Sequence, residues 1–144
     1  MIPHRPVLTL AQAGRIAGAL LKEAVASHGL KPGHARGLTL LAERDSMSQQ
    51  ALLEEMGVDA SVLVGILNDL EDDGLVSRRR DRADRRRHIV AISARGRKLA
   101  ERLDESFARV EAELLSGLTA DDVATLTSLL GRVKDTGAED CSAD

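Results

Sequence analysis

The sequence predicts a mainly α-helical fold that carries one small β-hairpin. Three observations predict it. Apolar residues recur at three- and four-residue spacing through most of the chain, which is the period of amphipathic helices. That pattern breaks once, where two short apolar edges, Leu75-Val76 and Ile89-Val90-Ala91-Ile92, flank a polar turn centred on Asp81 to Asp84. The positive charge collects at the same place. Between Arg78 and Lys98 there are ten Lys/Arg and two Asp/Glu, a local charge of +8; the net charge is -3, so the other residues carry -11. A short basic segment on an acidic chain is an electrostatic footprint for a polyanion. Standing alone it has a blander second reading, a solvated charge run or a disordered basic loop. Framed by two strand-like edges, it reads as a hairpin whose arms pack and whose tip reaches outward.

The elements follow in order. Residues 1–8 hold two prolines and read as an extended arm, with Thr9 as the expected N-cap of a first helix from Leu10 to Ser27. Its apolar positions are Leu10, Ala13, Ala17, Leu20, Leu21 and Ala24. Two readings of this helix stay open, a dimer element or a helix packed on its own domain. The stretch His28 to Gly33 breaks it, and a second helix runs from about Gly33 to Glu43 on Leu38, Leu40 and Leu41. Asp45-Ser46-Met47 is a connector, and Ser48 caps a third helix ending at Met56, with Leu52 and Met56 inward. After Gly57, Asp59 is the next N-cap. The fourth helix runs from Ala60 to Asp72 on a buried stripe of Leu63, Ile66, Leu67 and Leu70, and Gly74 stops it. Ser93 caps a fifth helix, Ala94 to about Leu115, whose seam is Leu99, Leu103, Phe107, Val110 and Leu114. Thr119 and Asp122 form a capping box for a sixth helix with Val123, Leu126, Leu130 and Val133. The last ten residues read as a disordered tail.

Composition narrows the function classes. Length and an apolar fraction of 43% suit one domain with an added interface. Aromatic residues are 1%, the single Phe107, so the core is aliphatic and there is no ring platform for single-stranded nucleic acid. The lone Cys141 sits in a polar, acidic tail and makes no internal disulfide or thiolate metal site. His4, His28, His34 and His88 are scattered, with no metal-ligand spacing, so no metal or other cofactor is expected. His34, just before the second helix, is either a pocket-lining residue or an ordinary surface histidine. No nucleophile–base pattern, phosphate loop or dinucleotide fingerprint is present, and the chain reads as a non-enzyme. No apolar run approaches a membrane span and there is no signal-peptide core, so a cytoplasmic protein is expected.

Two short helices joined by a glycine-containing turn have helix-turn-helix spacing, and the basic hairpin follows at once. The whole order is a winged helix-turn-helix. The fourth helix suits the major groove of double-stranded DNA, and the wing suits the backbone and the adjacent minor groove. The segment from Ser48 to Leu99, and within it GLVSR, DRADRRR, IVAIS and Gly96, resembles the MarR family of bacterial transcriptional regulators. The resemblance covers about residues 9–133. It implies a homodimer held by the first, fifth and sixth helices, binding to a palindromic operator, usually as a repressor, and release by a small-molecule effector. The expected division is an N-terminal arm and dimerisation helix (1–31), a DNA-binding lobe (32–93), C-terminal dimerisation helices (94–134) and a tail (135–144). An open cavity between the first, second and fifth helices would favour the ligand-responsive form.

Ser61, Val62, Val64, Gly65 and Asn68 lie opposite the buried stripe of the fourth helix and are the base-reading candidates. The serine can donate or accept, the asparagine can pair with adenine, and the valines can touch a thymine methyl. The family often carries more polar or basic residues here. This helix has no Lys or Arg and ends in Glu71, Asp72 and Asp73, acids read as lying beyond the groove. That departure keeps open a second class of function, a winged-helix protein-interaction or architectural module with weak or lost specific DNA binding. In the wing, Asp84 and Arg86 match the family's D-x-R: Asp84 is expected to orient an arginine and Arg86 to enter the minor groove. Arg82, Arg85 and Arg87 lie near the tip, and Arg78, Arg79 and Arg80 are phosphate contacts or internal ion pairs.

Overall fold

The computed structural model describes residues 5–134. The expectations for His4, Cys141 and the tail 135–144 lie outside the described residues. The elements are α1 (Pro6–Ser27), α2 (Pro32–Arg44), β1 (Ser46–Ser48), α3 (Gln49–Met56), α4 (Ala60–Asp72), β2 (Val76–Arg80), β3 (His88–Ile92), α5 (Ala94–Leu114) and α6 (Ala120–Leu130). They fall into two compact units, one ending at Val110 and the other starting at Glu111. The fold is mainly helical with a small antiparallel sheet, as the periodicity predicts.

Four details differ from the sequence reading. First, α1 begins at Pro6, with Arg5 rather than Thr9 as its N-cap. Proline lacks an N–H and has a fixed φ, so it suits the first turn of a helix as well as it suits an extended arm. Second, the connector before α3 is a strand. Its three residues pair antiparallel with β3, with Met47 opposite Val90, giving the sheet order β1-β3-β2. Third, β2 runs to Arg80, so Arg78, Arg79 and Arg80 are strand residues and the turn spans residues 81–87. Fourth, α6 stops at Leu130, and Val133 lies past it.

The core of the first unit is aliphatic. Leu38 and Leu41 of α2, Leu52 of α3, Leu63, Leu67 and Leu70 of α4, Val90 of β3 and Leu103 of α5 are its largest fully buried side chains. Each contributes about 1.5–3 kcal/mol relative to an exposed position. Phe107 sits half-buried at its edge. The predicted stripe of α4 is the buried one, and its opposite face is therefore left to solvent.

Helix ends and corners fix the geometry. The Ser48 hydroxyl accepts from the Ala51 N–H at 3.1 Å, capping α3. Asp59 occupies the N-cap of α4 without a side-chain cap bond. Helix α4 closes in a Schellman turn: the Gly74 N–H bonds the Glu71 carbonyl and the Leu75 N–H bonds the Leu70 carbonyl, both at 2.9 Å. Gly74 has φ +72°, a conformation that favours glycine. Ser93 donates to the Gly74 carbonyl (2.7 Å) and accepts from the Gly96 N–H (3.0 Å), docking the start of α5 onto this turn. A Cβ on Gly96 would stand 2.1 Å from the Leu75 carbonyl oxygen. The residues Gly74, Leu75, Ser93 and Gly96 of the wing motif thus meet in space, and this part of the motif holds α4, β2 and α5 together.

Two helices keep large apolar areas exposed. In α1 only Val25 is buried, while Val7, Leu8, Leu10, Ile16 and Leu21 are exposed. Within the second unit α6 has no buried residue, and Leu129 and Leu130 are exposed. The Thr119–Asp122 capping box of α6 is complete. The C-terminal end of α1 is fixed to α5 by a small polar cluster. Buried Ser106 accepts from Arg109 Nη2 at 2.9 Å and is hydrogen-bonded to His28 Nε2, 2.8 Å away.

Candidate nucleic-acid interface

All five base-reading candidates on α4, Ser61, Val62, Val64, Gly65 and Asn68, are exposed. Ser61, Gly65 and Asn68, at steps of four and three, form one line along the helix. It is about 10 Å long at 1.5 Å per residue, close to the width of about 12 Å of the DNA major groove. Gly65 at its centre faces open space, so no packing contact excludes a side chain there. The helix is positioned by its buried stripe and by a hydrogen bond from the other side, His34 Nε2 to Asp69 Oδ2 at 2.8 Å.

The wing tip is shaped by two aspartates. Asp81 Oδ1 accepts from the Ala83 N–H at 2.9 Å, and Asp84 Oδ1 accepts from the Arg86 N–H at 3.1 Å. Such Asx turns let a short carboxylate replace a backbone acceptor. Asp84 Oδ1 also lies 3.4 Å from Arg86 Nε, while the Arg86 side chain stays 92% exposed. Arg82, Arg85 and Arg87 are exposed as well. Among the described residues, Arg79, Arg82, Arg85 and Arg87 make no ion pair, and Arg80 reaches only the Arg85 carbonyl, at 3.5 Å.

Arg78 behaves differently from its neighbours. Its guanidinium turns back onto α4, with Nη2 donating to Glu71 Oε1 at 3.0 Å and to Asn68 Oδ1 at 2.6 Å. Nε and the backbone N–H of Arg78 both reach Glu71 Oε2, at 3.4 and 3.1 Å. The Arg78 hydrogen bonds hold the Glu71 carboxyl below the usual carboxylate range, and the adjacent positive charge adds to this against a small loss of hydration. Two of the acids on α4 are therefore occupied, Glu71 by Arg78 and Asp69 by His34, leaving Asp72 and Asp73 exposed at its C-terminal end. Of the two sequence readings of Arg78, phosphate contact or internal ion pair, the structure has the ion pair, with Glu71, and adds the bond to Asn68, which the sequence did not indicate. The three residues lie on two different elements, and only the register of β2 against β3 brings the arginine over the helix.

A groove of about 580 Å³ opens between α2 and α5, with Glu43, Glu101, Asp104, Glu105 and Arg97 in its walls. No α1 residue lines it, so it is not the cavity between first, second and fifth helices that would favour ligand response. Arg97 also pairs with Asp45, at the start of β1. A smaller hollow of about 300 Å³ has His34 and Asp69 in its wall. Among the described residues no group of three or more His, Cys, Asp or Glu is placed to hold a metal ion. Among them too, no helix is long and apolar enough to cross a membrane.

A three-helix lobe with a buried-stripe recognition helix and an arginine-tipped hairpin defines the winged helix-turn-helix class. A model of the MarR family matches residues 28–87, from the end of α1 to the wing tip. The uncharacterized HTH-type transcriptional regulator YdgJ of Bacillus subtilis is 30% identical over 106 residues, 74% of this chain. The chain spans 64–65% of the length of the curated relatives it matches. A probable transcriptional regulator of Pseudomonas aeruginosa superposes with a TM-score of 0.75 at 27% identity, over 92% of this chain and 98% of that one. NadR, crystallised in complex with 4-hydroxyphenylacetate, gives 0.74 at 26% identity, over 91% and 94%. Over residues 28–87 the chain is similar to the MarR family of winged-helix regulators.

Proposed function

We propose that this protein is a sequence-specific, double-stranded-DNA-binding transcriptional regulator. It works as a homodimeric repressor on a palindromic operator and is released by a small-molecule effector. The observation that carries this reading is the pairing of an uncovered α4 face with a wing whose tip arginines Arg82, Arg85, Arg86 and Arg87 are all exposed, Arg86 even with Asp84 beside it. The apolar surface left open on α1, and separately on α6, supports a second copy of the chain as partner. The complex of NadR with 4-hydroxyphenylacetate supports an effector. The protein has no catalytic role and works in the cytoplasm.

The test is binding to the DNA upstream of its own gene, against random competitor, at two salt concentrations, beside Arg86→Ala. Tight binding that survives competitor and weakens in the variant is expected, with each phosphate contact adding about 0.9 to the log–log salt slope. One observation favours a second reading: α4 contains no Lys or Arg and ends in three acids. In that reading the lobe is a protein-interaction or architectural module, and binding is absent or equal on random DNA.

A further inference from the structure

Asn68 stands on the exposed line of α4, and its amide oxygen already accepts one hydrogen bond. An asparagine reads adenine by using both halves at once, its nitrogen donating to N7 and its oxygen accepting from N6. Here Oδ1 accepts from Arg78 Nη2 at 2.6 Å, and Arg78 is itself anchored by three contacts to Glu71. Among the described residues, Asn68 Nδ2 has no hydrogen-bond partner. The side chain therefore offers two N–H donors and an oxygen pinned under a guanidinium. That positive charge polarises the amide further toward donation, and it repels the amino group of adenine or cytosine.

We propose that Asn68 is a guanine reader, and that Arg78 is the positioning residue that makes it one. Guanine presents two acceptors, O6 and N7, on its major-groove edge, which matches an amide biased toward donation. Arg78 makes no base contact in this scheme. It occupies one lone pair of the amide oxygen and sets a positive charge beside the other, which biases the amide toward donation, and Glu71 fixes the arginine in place. This inference rests on the DNA-binding reading above.

Selection of bound duplexes from a randomised pool tests it, with the wild type, Asn68→Ala and Arg78→Ala run in parallel. The wild type is expected to enrich a site containing a guanine whose preference disappears in Asn68→Ala, and Arg78→Ala is expected to admit adenine at that position. Replacing that guanine by 7-deazaguanine, which lacks the N7 acceptor, should weaken wild-type binding about tenfold and leave Asn68→Ala binding unchanged. The wild-type arm of this comparison changes the DNA and not the protein, so it does not depend on how well a variant folds. An enriched site whose Asn68-dependent position is adenine in the wild type, or a site with no Asn68-dependent position, overturns the inference alone. A pool with no enriched sequence overturns the DNA-binding reading and this inference with it.

Discussion

Helix α4 and the wing, the two parts of the proposed DNA-binding surface, are built by opposite means. Helix α4 has four apolar side chains buried and a neutral outer face of small residues. The wing tip has no core beneath it, holds its shape through two aspartate turns, and carries the free charge. The difference teaches how affinity and selectivity are divided. Phosphate contacts supply attraction without regard to sequence, and base edges supply discrimination without much charge. A helix with no basic side chain is not thereby a poor reader. In the proposed function it leaves attraction to the hairpin next to it, while its own acids Glu71 and Asp69 are engaged by Arg78 and His34.

The comparison breaks most completely from below. Leu67 is fully buried under the exposed face of α4. Leu67→Ala is expected to lower stability by about 2–5 kcal/mol through lost transfer energy and the cavity left behind. Urea denaturation measures it, and an unchanged midpoint would mean that α4 is not seated on the core as described. DNA binding should fall with the folded fraction, equally for all sequences. The wing comes next. Arg86 is 92% exposed, so Arg86→Ala should leave stability within about 0.5 kcal/mol. It should reduce affinity for specific and random DNA alike and lower the salt slope by about 0.9. A loss confined to the specific site would move Arg86 from attraction to base reading. Gly65→Ala sharpens the contrast in the other direction. Open space surrounds the position, so alanine should raise helix stability by about 0.5–1 kcal/mol. If the groove floor approaches this backbone closely, the same methyl weakens DNA binding, and thermal melting beside a DNA titration reads both signs.

Much of this division was legible in the sequence, because it rests on local patterns. The spacing of Leu63, Ile66, Leu67 and Leu70 already separates the buried from the open face of α4. Apolar edges around DRADRRR are enough to mark the hairpin. What the sequence did not carry depends on long-range register. Ser46–Ser48 is too short to show a strand period, and becomes a strand only because β3 lies beside it. The open outer side of α1 could be read as dimer seam or as core, since periodicity gives a face but not what covers it. The wing arginines look alike in sequence, yet β2 turns Arg78 onto α4 while Arg86 projects to solvent. Gly96 matched a family pattern in sequence, and its physical reason, the Leu75 carbonyl against its Cα, needs the fold.

The smallest expected effect concerns the link that Arg78 makes between helix and wing, and it can be read by pH. Arg78 hydrogen bonds lower the Glu71 carboxyl below its ordinary value in the folded protein. A group depressed on folding stabilises the fold above its unfolded value, about 4.3 for glutamate, and that contribution is lost as pH falls through the folded value. Wild type should therefore be slightly more stable than Glu71→Gln at neutral pH, and the gap should close on acidification. The pair is exposed enough for solvent and salt to screen it, so the difference should also shrink in high salt. Denaturation midpoints of the two proteins across this range measure it. Convergence would identify the link as an ion pair that orients Arg78 with little effect on stability. A gap that persists in acid would mean that neutral hydrogen bonds hold Arg78 over Asn68, and the helix would then keep its donor edge regardless of charge.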